Sequence, residues 1–396
     1  MQESCIMKKN ILTLAVAAGL IASAGVASAT PTLYGRIHLA LETASDSNKA
    51  GLSGVDEDTD MESRKSVFGM KGTEDLGNGL KAYYKLEWDV DVADGGGLGG
   101  RDQFVGLKGG WGNAKFGTGS QNYKQMGSKV DPFWHHAAEG REYINTMSKY
   151  HSGKGTDRGR QTNMLQYTTP KMAGIELVIN YTLSGASLPA GSTAPQPCGS
   201  GVGAGSPLGT PGPGDVNLKD IWTGTSASGL TKINQIGSGQ CGGDEVLGVG
   251  GRWSNKSFLV YLDYLDPDEY GVGGVESTSY TPADESIIKV GGKWTGKQFW
   301  ISAQYEAAED QTGGDYMFLG GNWDINKNNA VMLTVGSQTD ISTGYALGYT
   351  YKMSKQTKMY IDYSALQDDL SDTVTGGAGY EKFDDSVFAL GLVKSF

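Results

Sequence analysis

The sequence predicts an all-β protein that crosses a membrane as a closed antiparallel barrel of sixteen strands. Three observations carry this prediction. Polar and apolar residues alternate along many segments that have the length of a barrel strand. Glycine is abundant and proline scarce, 61 and 11 of 396 residues, which suits many strands joined by tight turns. The chain also ends on an aromatic residue, Phe396.

The last ten residues show the alternation most simply. One set of alternate positions is mostly large and apolar: Phe388, Leu390, Leu392, Lys394 and Phe396. The positions between them hold smaller residues: Val387, Ala389, Gly391, Val393 and Ser395. Successive side chains of a strand point to opposite faces. A strand of about 9–11 residues with an apolar outer face is what a barrel needs in lipid.

Residues 1–29 have the form of a secretory signal peptide. Lys8 and Lys9 give a positive start, an apolar run follows from residue 11 to residue 26, and Ala27-Ser28-Ala29 resembles a cleavage site. The alternative is a membrane-spanning anchor. Residues 30–396 are then predicted to form a single transmembrane barrel domain.

Charge and hydropathy exclude two classes of protein. The formal net charge of −11 argues against a nucleic-acid partner, because bulk electrostatics would repel the phosphates. After Ala29 no run of eighteen apolar residues occurs, which argues against a helical membrane protein.

The barrel strands can be placed one after another. In the first, Leu33 to Leu41 on one face alternate with Arg36, His38 and Glu42 on the other. The clearest is the third, where Leu80, Ala82 and their successors alternate with lysine and acidic residues over twelve positions. The full set of predicted strands is 33–43, 67 onward to a Gly-Asn-Gly turn, 80–91, 103–109, 114–119, 161–168, 175–183, 246–253, 258–265, 286–294, 298–306, 316–325, 330–336, 344–352, 358–366 and 387–396.

The connections between these strands differ in length. Short turns alternate with longer loops, which is the sidedness of an outer-membrane barrel. The longest connections are 120–159 and a Gly/Pro-rich stretch, 184–245, both expected on the extracellular side. Aromatic residues near many strand ends favour two girdles at the lipid–water boundaries.

Two cysteines, Cys198 and Cys241, remain after the signal peptide. An even pair in an exported protein favours one disulfide across the long loop. Two free thiols or a metal site are the alternatives.

Several segments resemble the general diffusion porins of Gram-negative outer membranes, in the trimeric sixteen-strand branch found in beta-proteobacteria. These are GTEDLGNGLKA from Gly72, TTPKMAGIELVINY within 163–181, GYTYKMSKQTKMY from Gly348, and the terminal Phe396. The resemblance spans the mature chain except for the loop that contains the cysteines.

The resemblance implies a homotrimer in contact with outer-membrane lipid and lipopolysaccharide. It also implies that the third extracellular loop folds into the barrel and narrows it, and that the assembly machinery reads Phe396. The loop at that position is 120–159. Its DPFWHHAAEG segment departs from the Pro-Glu-Phe-Gly-Gly-like turn common in the family.

Charged residues on this loop and on the wall opposite are candidates for the narrow part of a pore, where they would set up a transverse field. The candidates on the loop are Asp131, Glu139, Arg141 and Glu142. Those on the wall are Arg36, Lys81, Lys85, Arg158 and Arg160. Lys65, Lys71 and Lys115 are weaker candidates, because a shift of one residue in strand register would turn their side chains outward. The alternative for each residue is a solvated charge at a rim or turn.

Enzymatic motifs do not occur in the sequence, and we expect no cofactor. The adjacent His135 and His136 lack the spacing of a metal site and are interpreted as polar loop residues able to take up charge in acid. Asp266, Asp268 and Glu269 could hold a divalent cation at an external loop.

The predicted function is a non-enzymatic outer-membrane channel for passive diffusion of small hydrophilic solutes and ions. One alternative is a substrate-selective channel of the same fold. The other, from a different class, is a secreted soluble all-β binding or carbohydrate-active protein.

Overall fold

A computed structural model describes residues 31–45, 59–153, 159–183, 246–267, 286–308, 314–368 and 384–396. The signal segment, Arg158, both mature cysteines, the loop 184–245, and Asp268 and Glu269 lie outside these residues. The strands in the described part are β1 Thr32–Ser45, β2 Thr59–Ser63, β3 Val67–Gly77, β4 Leu80–Val90, β5 Leu98–Gly109, β6 Gly112–Ser120, β7 Arg160–Thr168, β8 Ile175–Thr182, β9 Val246–Ser254, β10 Phe258–Pro267, β11 Ile287–Thr295, β12 Phe299–Ala307, β13 Tyr316–Asp324, β14 Asn329–Gln338, β15 Ser342–Lys352, β16 Thr357–Asp368 and β17 Asp384–Ser395.

These strands form one closed antiparallel barrel. From β3 onward each strand pairs with its neighbours along the chain, and β1 pairs with β17 from Arg36↔Ser395 to Ser45↔Ser386. Strands β2 and β3 both pair with β1, β2 along residues 39–43 and β3 along residues 32–36. They are two parts of one barrel strand, interrupted at residues 64–66. The predicted sixteen-stranded barrel is therefore confirmed.

The outer surface is apolar because side chains alternate along every strand. In β17 the side chains of Phe388, Leu390 and Leu392 are 40–48% exposed, whereas Val387 and Ala389 between them are nearly inaccessible. Exposed apolar residues recur in the same way around β8–β16. Such a surface suits the hydrocarbon of a membrane rather than water.

Turn chemistry marks one rim of the barrel. Gly77, Asn78 and Gly79 all have positive φ, of 84°, 52° and 79°, a conformation that glycine and asparagine tolerate best. Short turns also join β9 to β10, β11 to β12, β13 to β14 and β15 to β16. The barrel therefore has the rim of short turns that the sequence predicts.

The connection between β6 and β7 lies inside the barrel, which agrees with the expected infolded third loop. It contains helix α1, Asn122–Val130, and a 3-10 helix, Lys149–His151. Helix α1 buries Tyr123, Met126 and Val130, which share one face because they are spaced by three and four residues. That face packs on β8–β12. The described helices are too short and too polar to cross a membrane.

The apolar core lies between this loop and the barrel wall. Tyr123 and Tyr150 pack with Leu265 and Ile287 on one side. Farther along the loop, Phe133, Ala138 and Ile144 pack against the barrel wall. Their partners there are Met332 of β14 and Ala346 of β15. The loop is therefore a fixed part of the fold, held on the wall that β8–β16 form.

The chain terminus completes the seam. Gly35 and Phe396 exchange both backbone hydrogen bonds, each 3.1 Å. A Cβ on Gly35 would lie 2.2 Å from the tip of the Phe396 ring. The ring therefore fills the outward space that the absent side chain of Gly35 leaves.

Candidate pore and constriction loop

An open cavity of about 880 Å³ lies between the infolded loop and the wall that β1–β7 form. Among the described residues, eight lysine and arginine side chains and six aspartate and glutamate side chains line it. The basic residues are Arg36, Arg64, Lys65, Lys85, Arg101, Lys124, Arg141 and Arg160, and the acidic residues are Glu62, Glu87, Asp89, Asp91, Asp94 and Asp102. A barrel with a charged interior and an apolar exterior is a conduit for water and ions.

Alternation along β4 and β5 produces a ladder of ion pairs on the wall. Lys85 Nζ lies 2.9 Å from Glu87 and 3.0 Å from Asp102. Arg101 bridges Glu87 and Asp89 at 2.7 Å each. Each of these three acids therefore has a basic partner, which fixes its position at the cavity surface.

The predicted basic wall residues fall into three groups. Arg36, Lys85 and Arg160 line the cavity; Arg160 Nε meets Asp102 at 2.7 Å, and Arg36 donates to the backbone oxygen of Lys65 at 2.8 and 3.0 Å. Lys81 has the inward parity but lies near the short-turn rim, half exposed and 3.8 Å from Asp75. Arg158 lies outside the described residues.

Asp131 of the loop is buried and does not line the cavity. Its carboxylate accepts hydrogen bonds from the N–H groups of Phe133, at 2.8 Å, and Gly140, at 2.9 Å. Burial raises the pKa of Asp131 to about 7. The side chain holds two turns of the loop together, so the expectation that it faces the pore is corrected.

Glu139 is also buried, behind Arg141. Its carboxylate lies 2.9 Å from Arg141 and 3.6 Å from Lys65, and it accepts the N–H of His135 at 2.7 Å. Burial opposes ionisation, but Arg141 and Lys65 hold the pKa of Glu139 well below its usual range. Glu142, which is half-buried, meets Lys65 at 3.2 Å.

The loop instead presents basic groups to the cavity. The Arg141 guanidinium stacks on the Trp134 ring at 4.1 Å and donates to the backbone oxygen of His151. Lys124 reaches the same cavity from helix α1. The predicted field between an acidic loop and a basic wall is therefore not what the structure shows, because both sides of the cavity carry cations.

Two histidines attach the loop to the opposite wall. His136 Nδ1 lies 2.8 Å from Asp362, and its Nε2 lies 3.0 Å from Lys358 Nζ. At the other end of the loop, His151 Nε2 lies 3.0 Å from Glu306. Burial lowers the pKa of both histidines, that of His151 to about 4. Sequence reasoning had treated His136 only as a polar loop residue.

A second cluster seats helix α1. Glu306 accepts hydrogen bonds from Tyr123, at 2.7 Å, and Ser148, at 2.5 Å. Lys289 lies 3.2 Å from Asp263 and 3.7 Å from the centre of the Tyr123 ring. These charges are fully buried and paired, so they serve attachment of the loop rather than contact with solutes.

Sequence reasoning missed Arg101 and Lys124. Arg101 follows a glycine-rich stretch that resembles a turn, although the strand begins at Leu98. Lys124 belongs to a loop without periodicity that could be read locally. In the described ranges, no group of three His, Cys, Asp or Glu side chains could hold a metal ion.

The chain is similar to known outer-membrane proteins in sequence and in fold. A model of the Gram-negative porin family matches residues 13–373. The chain is 32% identical over 181 residues to major outer membrane protein P.IB of Neisseria meningitidis serogroup B, covering 45% of this chain and 50% of that protein. It is 33% identical over 178 residues to P.IB of Neisseria gonorrhoeae, covering 44% and 48%. The chain thus spans about half the length of the curated relatives it matches.

Solved structures match over nearly the whole chain. An anion-selective porin from Comamonas acidovorans has a TM-score of 0.62 at 19% identity, covering 93% of this chain and 100% of that one. OmpT of Vibrio cholerae in its trimer form has a TM-score of 0.52 at 12% identity, covering 93% and 100%. At these identities the likeness concerns the fold.

Proposed function

The chain belongs to the Gram-negative porin family and is an outer-membrane protein, and from that premise we propose that it forms a water-filled channel for passive diffusion of small hydrophilic solutes and ions. The observation that supports this most is the charged cavity of about 880 Å³ inside a barrel whose outside is apolar. Passage through such a cavity needs no bond making, so we also propose that the protein is not an enzyme.

We further propose that the channel prefers anions. Among the six acids of the cavity lining, Glu87, Asp89 and Asp102 are each paired with a lysine or arginine. Arg36 makes no ion pair with any described residue, and neither do the lining acids Glu62, Asp91 and Asp94, but the lining as a whole carries eight basic against six acidic side chains. The structural neighbour from Comamonas acidovorans is itself anion-selective. A lining with more basic than acidic side chains raises the local concentration of anions.

The reversal potential in a planar bilayer tests both statements. With a KCl gradient across the membrane, we expect channel openings and a reversal potential of the sign that chloride sets. Cation preference would overturn the anion proposal, and folded protein without conductance would overturn the channel.

A charge-reversed pair of variants sharpens this test. Arg36→Glu is expected to move the reversal potential toward that of cations, because it replaces an unpaired lining cation with an anion. Lys81→Glu makes the same charge change at the rim and should move it much less. Equal shifts would show that bulk charge, rather than the cavity lining, sets the preference.

We propose a homotrimer as the assembled form. Gln103 and Thr118 pair across β5 and β6, and they share the outward face of Leu86, which pairs with Gln103. Two adjacent polar side chains on an outer surface favour contact with protein over contact with lipid. Conductance that rises in steps of three and a native mass of three chains would support this, whereas a monomeric mass would overturn it.

Three further proposals concern parts of the chain at or beyond the described residues. Residues 1–29 act as a cleaved signal peptide, Cys198 and Cys241 form a disulfide in the loop 184–245, and Phe396 is the assembly signal. The apolar outer surface is proposed to contact lipid, including lipopolysaccharide in the outer leaflet. Mass measurement of the mature protein, with and without reductant, tests the first two.

A further inference from the structure

We propose that Lys124, Arg141 and Arg160 form a saturable binding subsite for oxyanions inside the channel. This inference rests on the proposed anion-conducting function and adds a discrete site to it. The three side chains approach the cavity from two sides, since Lys124 and Arg141 belong to the infolded loop and Arg160 begins β7.

Lys124 is a buried amine without a carboxylate partner among the described residues. Its side chain is only 7% exposed, yet it lines the cavity. Its stem passes Gly159, whose Cβ, if present, would lie 2.6 Å from Lys124 Cδ. This contact places the lysine beside the start of β7, next to Arg160. A nearly buried ammonium without a carboxylate partner is costly, and an anion from the channel would offset that cost.

Arg160 keeps donors available, and Arg141 adds a fixed positive charge. Arg160 contacts Asp102 through Nε at 2.7 Å, and its terminal amino groups bond no described residue. Arg141 is held in place by Glu139 at 2.9 Å, by the backbone oxygen of His151 and by Trp134, so it contributes a fixed positive charge rather than free donors. Guanidinium groups with free N–H donors match the geometry of oxyanions.

The charges around Lys124 explain how its protonation and anion binding are linked. The groups that face it are Arg101 on β5, Arg160 on β7, and Arg141 and Glu139 of the loop. Burial and the three arginines lower the pKa of Lys124 to about 6. An oxyanion beside the amine favours its protonated form, so anion binding and proton uptake must strengthen each other. Affinity therefore rises as pH falls from about 8 toward about 6.

Sulfate is a suitable probe because its charge does not change in this pH range. Chloride current through the purified full-length channel would be measured in planar bilayers while sulfate is added at constant ionic strength. We expect saturable block, and a half-blocking concentration several-fold lower at pH 6 than at pH 8. Current that falls only in proportion to the chloride replaced would overturn the subsite.

Substitutions of Lys124 separate the effect of its positive charge from the effect of its deprotonation. Lys124→Met should raise the half-blocking concentration about tenfold or more at pH 6. Lys124→Arg cannot lose its proton at these pH values, so block should remain while its dependence on pH disappears. Lys129→Met removes the same charge from the exposed side of helix α1 and should change neither property. If Lys124→Arg keeps the pH dependence of the unmodified protein, the assignment to Lys124 is overturned.

The outcome also separates this inference from the proposed function. A channel that conducts and prefers chloride but shows no saturable block by sulfate would leave the proposed function intact and overturn the subsite alone. A cation-preferring channel would overturn both.

Discussion

His136 makes two hydrogen bonds that together fix where its proton lies. The ammonium of Lys358 can only donate, so Nε2 of His136 accepts and carries no proton. Nδ1 therefore carries the proton and donates it to Asp362 at 2.8 Å. A second proton on the ring would break the Lys358 contact and place two cations 3.0 Å apart.

Acid should therefore weaken attachment of the loop. When the loop is detached, its histidines titrate near their ordinary pKa of about 6.5, whereas burial lowers the pKa of His136 and that of His151 in the docked loop. At these two histidines the detached state binds more protons, so their contribution to docking is complete above about pH 6.5 and is lost as pH falls toward about 4; Asp131, whose pKa burial raises to about 7, acts in the opposite sense. Limited proteolysis of the folded protein between pH 7 and pH 4 should show cleavage within 121–159 increasing in acid.

A glutamine at position 136 tests the cause. His136→Gln can still donate to Asp362 and accept from Lys358 but cannot be charged, so its loop should resist acid better than that of the unmodified protein. His135→Asn is a comparison in which asparagine tolerates the φ of 83°; burial lowers the pKa of His135 too, so acid resistance should rise, but less than in His136→Gln because His135 is not bound to the wall. Equal acid sensitivity in His136→Gln and the unmodified protein would contradict this account.

At the scale of the elements, close packing of the loop is as important as its ion pairs. Helix α1 and the 3-10 helix touch where a Cβ on Gly127 would lie 2.3 Å from His151 Nδ1. The ring of His151 can approach the helix only because this residue is glycine. Both helices then share the anchor at Glu306.

Gly127→Ala should push these two helices apart. We expect a loss of about 1–3 kcal/mol in stability, typical of overpacking, visible as a lower unfolding midpoint in detergent. Gly110→Ala, in a turn where a Cβ would meet nothing within 4 Å, should change the midpoint little. Similar losses in the two variants would contradict this account, because reduced flexibility of the unfolded chain in a Gly→Ala variant stabilises the folded protein and cannot explain a loss.

Alternation made most strands predictable, because lipid outside and water inside impose it on every strand. The strand predicted at 330–336 is observed at Asn329–Gln338, for example. Prediction from alternation failed for segments that do not have lipid on one side and water on the other. Strand β2, TDMES, carries no apolar alternation, and helix α1 packs on strands distant in sequence. The directions of Asp131 and Glu139 follow from loop turns that have no local pattern.

At the scale of the whole molecule, closure depends on how β1 meets β17. Ten residue pairs join the two strands from Arg36↔Ser395 to Ser45↔Ser386, and Gly35 and Phe396 add the last pair at the rim of short turns. Since the two strands are far apart in sequence, this seam forms only when the rest of the barrel is in place. The aromatic terminus thus packs into the finished barrel besides its proposed part in assembly.

Two variants should separate these contributions. Gly35→Val should disturb the seam, because its side chain would overlap the Phe396 ring, and should lower the yield of folded barrel in refolding with detergent alone. Gly97→Val, where a Cβ would meet nothing within 4 Å, is the control. Deletion of Phe396 should reduce surface levels in cells more than it reduces refolding in detergent. Normal surface levels after the deletion would contradict the assembly role.

The residues that line the cavity and the residues that hold the infolded loop come from different parts of the sequence. Nearly every residue that lines the cavity lies between Tyr34 and Arg160, whereas the wall residues that hold the loop lie mostly between Gly250 and Asp362. The first part of the polypeptide thus supplies the cavity lining, which we call the filter, and the second part supplies the wall that supports the loop, which we call the frame. Sequence drift in the frame that preserves packing should leave permeation untouched, while a single charge change in the filter alters it. A chimera that exchanges only the first part with a relative would inherit that relative's ionic preference.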